Sequence, residues 1–582
     1  MAAQRATRQR VSPALCGTGK NRPRSPSYCV TQFLDQDMTS QTFRFGPRLE
    51  DGRTDFRFWA PSASQVDLLI DGSASLPMRK DDDGFHSITT DAGPGTRYKF
   101  RIGELYVPDL ASRQQAGDSR DWSVVRAPLT PIQGLGRPWH ETVIAEVHVG
   151  TATPEGTFTA LAQKLEHFRD AGFTCLEIMP VNQFPGTRNW GYDGTLIFAP
   201  ASAYGTPEEL RDLVARAHEL GLSMILDVVY NHFGSVDNFV ADYAPEWFDS
   251  SVETPWGPGI DFTKQWVRKF YYENAVMWLA EYGFDGLRFD AIHEIKSEAK
   301  DRFLGELAKA CRIARPDARL IVENMNNSTR WLERDDQNRP MTYWAQWNED
   351  IHHVLAFIVT GEGNKTGYDE PGKDPVADLE KALADGFVHD RAEGPDSDGR
   401  TRGGPASRLP PDSFITYVEN HDQIGNRADG QRLSSRIEPR QLDFLHFVKF
   451  IAPQIPLCFM GDEANFNAPF PFFVDLDAEE GEKANQRRNK EMREMFKEEV
   501  EDGDLPHPND PATFDSAKLP WAAYDEAGHR AALDRFRQLA VYRRDMVWPL
   551  ASTPCVDARS ARHDQGIVVT WAFEAGSLSP RA

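Results

Sequence analysis

The segment Gly286-Leu-Arg-Phe-Asp290 decides the fold, because an acidic residue stands directly after a short apolar, strand-like run. Polar residues end similar runs around Asp227-Val-Val-Tyr-Asn-His232, Leu320-Ile-Val-Glu323 and Glu419-Asn-His-Asp422, and upstream lies Asn189-Trp-Gly-Tyr-Asp193. In a barrel of parallel strands, the catalytic groups collect at the C-terminal ends of the strands. The sequence therefore predicts that these polar residues meet at one rim of a barrel.

The alternation of strand-like and helix-like runs around these segments supports an α/β fold. Eight strand-like runs are separated by helical stretches, and this is the count of a (β/α)8 TIM barrel. The predicted strands cover residues 143–149, 175–181, 223–229, 286–289, 319–322, 341–346, 413–418 and 456–460. The predicted helices cover residues 157–171, 207–220, 264–282 and 297–313.

The remaining sequence predicts a chain of several parts. Residues 41–110 carry short alternating runs with Gly- and Pro-rich turns, which are typical of a β-sandwich, here of a carbohydrate-binding kind. Residues 111–140 are polar and Pro-rich and are predicted to link the sandwich to the barrel of residues 141–548. Residues 549–582 are predicted to form a partial C-terminal β region, and residues 1–40 a disordered extension.

Composition and charge narrow the class of protein. Asp and Glu outnumber Lys and Arg by 88 to 65, a net charge of −23, which disfavours nucleic acid and anionic membranes as partners. No Cys-x-x-Cys occurs among the six cysteines, so we expect a reducing, cytoplasmic location. The Arg-rich start lacks a signal-peptide core. We favour a disordered extension, or a true start at Met38, over a transit peptide.

The polar residues at the predicted rim suit the cleavage of a glycosidic bond. That reaction needs one carboxyl group to protonate the leaving oxygen and another to attack the anomeric carbon or activate water. Asp290 and Glu323 are the candidates, and Arg288 lies on the same strand face as Asp290, where its charge favours an ionised nucleophile. A single acid at a strand end is usually a turn or helix cap, but five such segments in order make coincidence improbable.

These five segments resemble the α-amylase superfamily of retaining glycosidases and transglycosylases, and the resemblance covers about residues 41 to 550. It implies that Asp290 is the nucleophile and Glu323 the general acid and base. It also implies that Asp422 binds sugar hydroxyls and stabilises the transition state. The substrate-binding residues implied by the same resemblance are Tyr192, Asp227, His232, Arg288 and His421.

Several further segments look like those of malto-oligosyltrehalose trehalohydrolases within that superfamily. They include Glu146-Val-His-Val-Gly-Thr151, Asp290-Ala-Ile-His293, Asn420-His-Asp-Gln-Ile-Gly-Asn-Arg427 and the non-catalytic residues 510–519. This resemblance implies a hydrolase that cuts the α-1,4 bond next to a terminal trehalose, as in trehalose biosynthesis. The products would be trehalose and a shortened maltodextrin, and the functional partner a malto-oligosyltrehalose synthase.

Other features of the sequence leave the binding site open. Trp190, Trp344, Trp347 and the pair His352-His353 are candidates for trehalose binding, and each is equally consistent with packing. We expect no metal and no cofactor, because the His pair lacks a third ligand and residues 233–262 are short for a calcium-binding insertion. The charge-dense residues 479–504 are predicted to be a solvated helix and loop rather than a binding site.

Two other functions remain as alternatives at this point. A 1,4-α-glucan branching enzyme shares the sandwich, the barrel and the carboxylates, but transfers the sugar to a hydroxyl group instead of water. A barrel used only for carbohydrate binding would lack at least one catalytic carboxylate, and Asp290, Glu323 and Asp422 are all present.

Overall fold

The structure of the chain is a computed structural model. The described residues are 43–361, 374–390, 403–496, 505–563 and 566–580. The predicted disordered extension of residues 1–40 lies outside them, as do Cys16 and Cys29. No helix in these ranges combines the length and the apolar character needed to cross a bilayer.

The N-terminal part is a β-sandwich of two antiparallel sheets. Its strands are β1 (Arg48–Glu50), β2 (Arg53–Trp59), β3 (Asp67–Ile70), β4 (Leu76–Pro77), β5 (Arg79–Lys80), β6 (Phe85–Thr90), β7 (Arg97–Ile102), β8 (Leu105–Val107) and β9 (Ser123–Val124). The sheet orders are β1-β2-β6-β5 and β4-β3-β7-β8, and β9, from the predicted linker, pairs with β7. Alternate residues of β2 are buried. Phe56 meets Tyr98 and Phe58 meets Phe100 between the sheets, at ring-centre distances of 4.8 and 4.3 Å.

The next part of the chain is built around a closed barrel of eight parallel strands. Its strands and two hairpins are β10 (Ile144–Val147), β11 (Cys175–Ile178), β12 (Asn182–Gln183), β13 (Leu196–Pro200), β14 (Ser223–Val228), β15 (Phe248–Thr254), β16 (Gly257–Ile260), β17 (Gly286–Phe289), β18 (Arg319–Val322), β19 (Ala345–Trp347), β20 (Phe414–Thr416) and β21 (Ile455–Phe459). The barrel order is β10-β11-β14-β17-β18-β19-β20-β21. Each predicted strand overlaps one barrel strand, so the predicted (β/α)8 fold class is confirmed. These strands are buried on both faces, which explains their continuous apolar runs.

Helices surround the barrel and connect its strands. The α-helices of the described residues are α1 (Val149–Ala152), α2 (Phe158–Ala162), α3 (Leu165–Ala171), α4 (Pro207–Glu219), α5 (Val240–Tyr243), α6 (Gln265–Ala280), α7 (Lys300–Ala314), α8 (Glu349–Thr360), α9 (Pro375–Ala384), α10 (His421–Gly425), α11 (Pro439–Ile451), α12 (Ala478–Phe496), α13 (Pro511–Ser516), α14 (Ala527–Tyr542) and α15 (Trp548–Ala551). The predicted helix 157–171 is split into α2 and α3. Helix α4 begins at a capping box of Thr206 and Glu209, with Pro207 in its first turn.

The sandwich is attached to the barrel through helix α6. The buried carboxylate of Glu273 accepts hydrogen bonds from the backbone N–H groups of Arg44 and Phe45, at 2.7 and 3.1 Å. The ring of Phe45 packs against Phe270, with ring centres 5.2 Å apart. A buried carboxylate that is satisfied by the first described residues of the chain fixes the sandwich to the barrel wall.

The C-terminal residues form a three-stranded antiparallel sheet. Its strands are β22 (Cys555–His563), β23 (Gly566–Phe573) and β24 (Gly576–Leu578). Alternate residues of β23 are buried, and the Trp571 indole donates to the carbonyl oxygen of Leu383 at 3.1 Å. The sheet therefore packs one face against the helices of the barrel, as expected for alternating apolar residues.

Candidate active site

Arg288 stands at the centre of the rim where the predicted residues meet. It lies on β17 and is fully buried. Its Nη1 donates to Asp227 at 2.6 Å and to Asp290 at 2.8 Å, and its Nη2 donates to Glu323 at 2.7 Å. Trp347 packs against the guanidinium, with its ring centre 4.0 Å from Cζ. One planar guanidinium thus brings together the ends of three barrel strands.

The candidate nucleophile Asp290 follows β17 and is held by both of its oxygens. Arg288 donates to Oδ1, and the side-chain amide of Asn231 donates to Oδ2 at 2.8 Å. Burial raises the pKa of Asp290, and the positive charge of Arg288 opposes that rise. Asp290 also lines the open cleft, so its carboxylate is oriented by the protein while reaching the space where a substrate would bind.

Glu323, at the end of β18, is positioned by a strained turn. The next residue after Asp290, Ala291, has a φ of 38°, in the left-handed region that L side chains rarely adopt. This conformation directs the Ala291 N–H to Glu323 Oε2 at 2.9 Å, the same oxygen that accepts from Arg288. Oε1 takes no part in either contact, and Glu323 lines the cleft.

Asp422 lies across the cleft in a different environment. Its neighbour His421 is buried, with Nε2 3.4 Å from Asp422 Oδ1. Burial alone would raise the pKa of Asp422, but the charge and hydrogen bond of His421, aided by Arg288, lower it overall. Asp422 is therefore an ionised hydrogen-bond acceptor whose side chain remains one-third exposed, at 33%.

Asp227 lies beneath the cleft and links Arg288 to an aromatic wall. The Tyr192 hydroxyl donates to Asp227 Oδ2 at 2.7 Å, and Arg288 donates to the same oxygen. Oδ1 is buried without a hydrogen-bond partner among the described residues. Burial raises the pKa of Asp227 to about 7, against the charge of Arg288, so this carboxyl group exchanges its proton near neutral pH.

His232 and Trp256 form a second part of the wall. Their rings are stacked, with centres 3.9 Å apart and an angle of 12°. His232 Nε2 faces the carbonyl oxygen of Tyr192 at 3.0 Å, and burial lowers the pKa of His232 to about 4. His232 is therefore neutral at physiological pH and donates to that carbonyl.

An open cleft lies above these residues. The predicted residues that line it are Trp190, Tyr192, His232, Asp290, Glu323, His421 and Asp422. Asp227, Arg288 and Trp347 are buried below its surface and act on the site through the residues they contact. The structure thus brings all ten predicted site residues to one end of the barrel.

The other candidates for trehalose binding lie away from the cleft. Trp344 precedes β19, and its ring contacts Trp139, with ring centres 6.3 Å apart. His352 is buried in α8, where its Nδ1 faces the carbonyl oxygen of Val418. Among the residues that the structure describes, no group of three or more His, Cys, Asp or Glu side chains is arranged around a metal position.

The charge-dense segment forms helix α12 up to Phe496, as predicted, and residues 497–504 lie outside the described residues. The helix residues Glu480, Ala484, Arg487, Arg488 and Glu491 line the cleft. Arg488 donates to the side chain of Asn426 at 2.9 Å and to the carbonyl oxygen of Gly425. Alternating charge along a helix indicates a solvated face, but the sequence gives no local signal that this face borders a substrate cleft.

Trp256 was also missed. It lies in the turn between β15 and β16, within the segment 233–262 that is short for a calcium-binding insertion. An aromatic residue among turn residues is the one available signal, and its partner His232 is distant in sequence. The pairing is visible only when the hairpin has folded back over the rim.

Comparison with known proteins agrees with this geometry. Residues 113–256 match the family model of the α-amylase catalytic domain, and residues 44–111 match carbohydrate-binding module 48, the isoamylase N-terminal domain. The malto-oligosyltrehalose trehalohydrolase of Saccharolobus solfataricus is 34% identical over 83% of this chain and 84% of its own length. The chain belongs to the malto-oligosyltrehalose trehalohydrolase family.

Two further comparisons bear on this family assignment. A crystal structure of a Salmonella typhimurium protein assigned as an α-amylase superposes with a TM-score of 0.87 and 35% identity, covering 92% of both chains. The 1,4-α-glucan branching enzyme GlgB 2 of Streptomyces coelicolor is 34% identical over only 42% of this chain and 37% of its own length. Similarity to trehalohydrolases extends over most of the chain, whereas similarity to this branching enzyme is partial.

Proposed function

We propose that the chain hydrolyses the α-1,4 bond next to the terminal trehalose of a malto-oligosyltrehalose, with retention of configuration. The observation that carries this proposal is the single guanidinium of Arg288, which contacts both Asp290 and Glu323 at the edge of the cleft. A retaining glycosidase needs its two carboxyl groups only about 5 to 5.5 Å apart. The substrate follows from membership of the trehalohydrolase family.

In the first step, Asp290 attacks the anomeric carbon while Glu323 donates a proton to the glycosidic oxygen. The C–O bond breaks, trehalose leaves, and the maltodextrin stays bound to Asp290 as an ester. Arg288 and Asn231 hold the two oxygens of Asp290, which orients the nucleophile for attack. Glu323 Oε2 is occupied by Arg288 and Ala291, which leaves Oε1 to carry the proton.

In the second step, Glu323 removes a proton from water, and the resulting oxygen nucleophile attacks the same carbon. The ester bond to Asp290 breaks and the shortened maltodextrin is released. The ionised carboxylate of Asp422 accepts hydrogen bonds from sugar hydroxyls, while Tyr192 and Trp190 provide aromatic surface along the cleft. Hydrogen bonds that tighten as the ring flattens lower the barrier to both steps.

Product analysis on two matched substrates tests the proposal. One is a maltodextrin that ends in trehalose, and the other is a plain maltodextrin of equal length. Rapid release of trehalose from the first, with slow cleavage of the second, is the expected result. Equal cleavage of both, or branched products without new reducing ends, would contradict it in favour of an amylase or a branching enzyme. The Asp290→Asn variant serves as the inactive control.

We also propose a cytoplasmic location and a functional pairing with a malto-oligosyltrehalose synthase. Cys175, Cys311, Cys458 and Cys555 are unpaired thiols, which supports a reducing compartment. A substrate that ends in trehalose must be made by an enzyme that rearranges the end of a maltodextrin. Fractionation of the native host, with assay of the coupled conversion of maltodextrin to trehalose, tests both statements.

A further inference from the structure

A buried carboxylate outside the cleft is bound to the histidine that precedes Asp422. Glu146 lies on β10, and both Glu146 and His421 are 1% exposed. Glu146 Oε1 accepts a hydrogen bond from His421 Nδ1, and Oε2 accepts one from the His421 backbone N–H at 3.1 Å. Glu146 therefore holds both the ring and the main chain of His421.

The opposite edge of the same ring faces the substrate side. His421 Nε2 lies 3.4 Å from Asp422 Oδ1. Tyr192 is stacked on the ring at 5.0 Å with an angle of 20°, and the Trp190 ring meets it nearly perpendicularly at 5.3 Å. Because aromatic rings confine the imidazole and both of its nitrogens face carboxylates, each nitrogen needs a proton to donate.

We propose that Glu146 is a positioning residue that keeps His421 doubly protonated, so that Asp422 stays ionised and oriented toward the sugar. This inference rests on the proposed function, in which Asp422 binds substrate. Glu146 does not line the cleft, so it acts through His421 alone. The arrangement is a carboxylate–imidazolium–carboxylate relay in which only the last carboxylate is open to substrate.

The electrostatics of the region agree with this geometry. Burial favours the neutral imidazole, but Asp422 and Glu146 outweigh it and raise the pKa of His421 well above its usual value. His148 also faces this region, and burial lowers its pKa to about 4, so it adds no charge at neutral pH. Other titratable groups around the relay are Glu177, Tyr192, Arg288, Glu349 and Arg488.

Glu177 provides a matched control on the neighbouring strand. It pairs in register with Glu146, and it is equally buried at 1% exposed. Neither of its carboxyl oxygens has a hydrogen-bond partner among the described residues. Burial raises the pKa of Glu177 well above its usual value, which favours its neutral form. Two neighbouring glutamates thus differ in whether they bind the imidazole.

The test compares Glu146→Gln, Glu146→Asp and Glu177→Gln in the full chain. For each variant, kcat and KM for trehalose release are measured between about pH 5 and pH 9. In Glu146→Gln the pKa of His421 falls toward its ordinary value of about 6.5, so the histidine loses its charge as the pH rises. We expect kcat/KM to fall about tenfold or more above pH 8 and much less below pH 6.

The two other variants separate charge from shape. Glu146→Asp keeps the charge and should retain the wild-type shape of the pH profile, even if its activity is lower. Glu177→Gln should leave the profile unchanged. A Glu146→Gln pH profile of kcat/KM that is parallel to that of the wild type at every pH would overturn the inference. A wild-type profile shape in Glu146→Gln together with an altered shape in Glu146→Asp would also overturn it.

Proton NMR gives a readout that does not depend on activity. Wild-type protein should show strongly downfield imidazole N–H resonances, and these should persist to high pH. The same resonances should be missing from the spectrum of His421→Gln, which assigns them to His421. Their absence from wild-type protein at neutral pH would overturn the inference even if Glu146→Gln fails to fold. If wild-type protein does not release trehalose, the proposed function fails. The resonances, and the pH profile on whichever α-glucan is cleaved, would still test the relay.

Discussion

The buried carboxyl groups on the two sides of the catalytic cleft are paired with cations in different ways. On one side, the carboxyl groups of Asp227, Asp290 and Glu323 share the single guanidinium of Arg288. On the other, Asp422 has His421 beside it. The pKa of Asp290 and that of Asp227 are raised by burial, whereas that of Asp422 is lowered overall by its histidine. Burial thus favours the protonated forms of Asp227 and Asp290 despite the shared cation, whereas the paired histidine favours the ionised form of Asp422.

The histidines on the two sides show the same contrast. Each is stacked on an aromatic ring, His232 on Trp256 and His421 on Tyr192. Burial lowers the pKa of His232 to about 4, while two carboxylates raise that of His421 well above its usual value. Both histidines are buried, so the carboxylates bound to His421 account for the difference in the pKa of the two rings.

The largest expected effect comes from neutralising one carboxylate on each side. Asp290→Asn removes the nucleophile and should lower kcat by about 10⁴-fold or more. Asp422→Asn leaves the covalent chemistry in place and should lower kcat by about 10² to 10³-fold. Steady-state assays of trehalose release measure both losses. Equal losses would show that the two sides are not functionally distinct.

Removing the proton donor should give the next largest loss. Glu323→Gln should slow cleavage of the natural substrate by about 10² to 10⁴-fold, because the leaving oxygen is no longer protonated. An aryl glycoside with a good leaving group should restore the first step and give a burst of product. The control Glu294→Gln changes a carboxyl group in the cleft that pairs with Lys296 instead of Arg288. If Glu323→Gln gives no burst with the aryl glycoside, Glu323 is not the proton donor.

A smaller, pH-dependent effect should follow from Asp227→Asn. Because the pKa of Asp227 is raised to about 7, its carboxyl group is mostly protonated below that pH and ionised above it. Asparagine imitates the protonated form, so the loss of kcat/KM should be smaller below about pH 6 than above about pH 8. A pH profile of the ratio of variant to wild type measures this. A ratio that falls toward low pH would contradict an exchangeable proton on Asp227.

The smallest expected effect concerns the aromatic wall. Trp256→Ala removes the ring stacked on His232 and should raise KM by about 3 to 10-fold, with kcat nearly unchanged. Trp256→Phe should recover most of the affinity. Trp122→Ala, which changes a tryptophan of the β-sandwich region outside the cleft, should have no effect on KM. A loss in kcat instead of KM would indicate that Trp256 supports the chemistry through His232.

The polar residues at the ends of strands were predictable from sequence, but the residues that they contact in the folded chain were not. The eight strands carry their own signal, because a strand buried on both faces is a continuous apolar run. Asp290 and Glu323 follow such runs directly, and Asp422 lies in α10, the helix that follows β20. Glu146 also lies on a predicted strand, but its partner His421 is 275 positions away. No local pattern links two residues at that separation.

The sequence does not predict which side chains pack around the rim. Helix α12 has the mixed charge of a solvated helix, and much of it is solvated, yet Arg488 and its neighbours border the cleft. Trp347 is predictable as an aromatic residue at a strand end, but its position below Arg288 depends on how side chains from several strands share the barrel interior. Such placements are decided by tertiary packing, on which composition and periodicity carry no information.

The β-sandwich is attached to helix α6, and these contacts make the sandwich a structural support of the barrel. Removing residues before 113 would strip Glu273 of two backbone donors and uncover the aromatic surface of Trp247 and Phe270 that Phe45 now covers. A barrel shortened in this way would leave the buried Glu273 to its ion pair with Lys269 at 3.5 Å and would expose an aromatic, apolar face. The region that matches a carbohydrate-binding module is therefore also a cover for this part of the barrel wall.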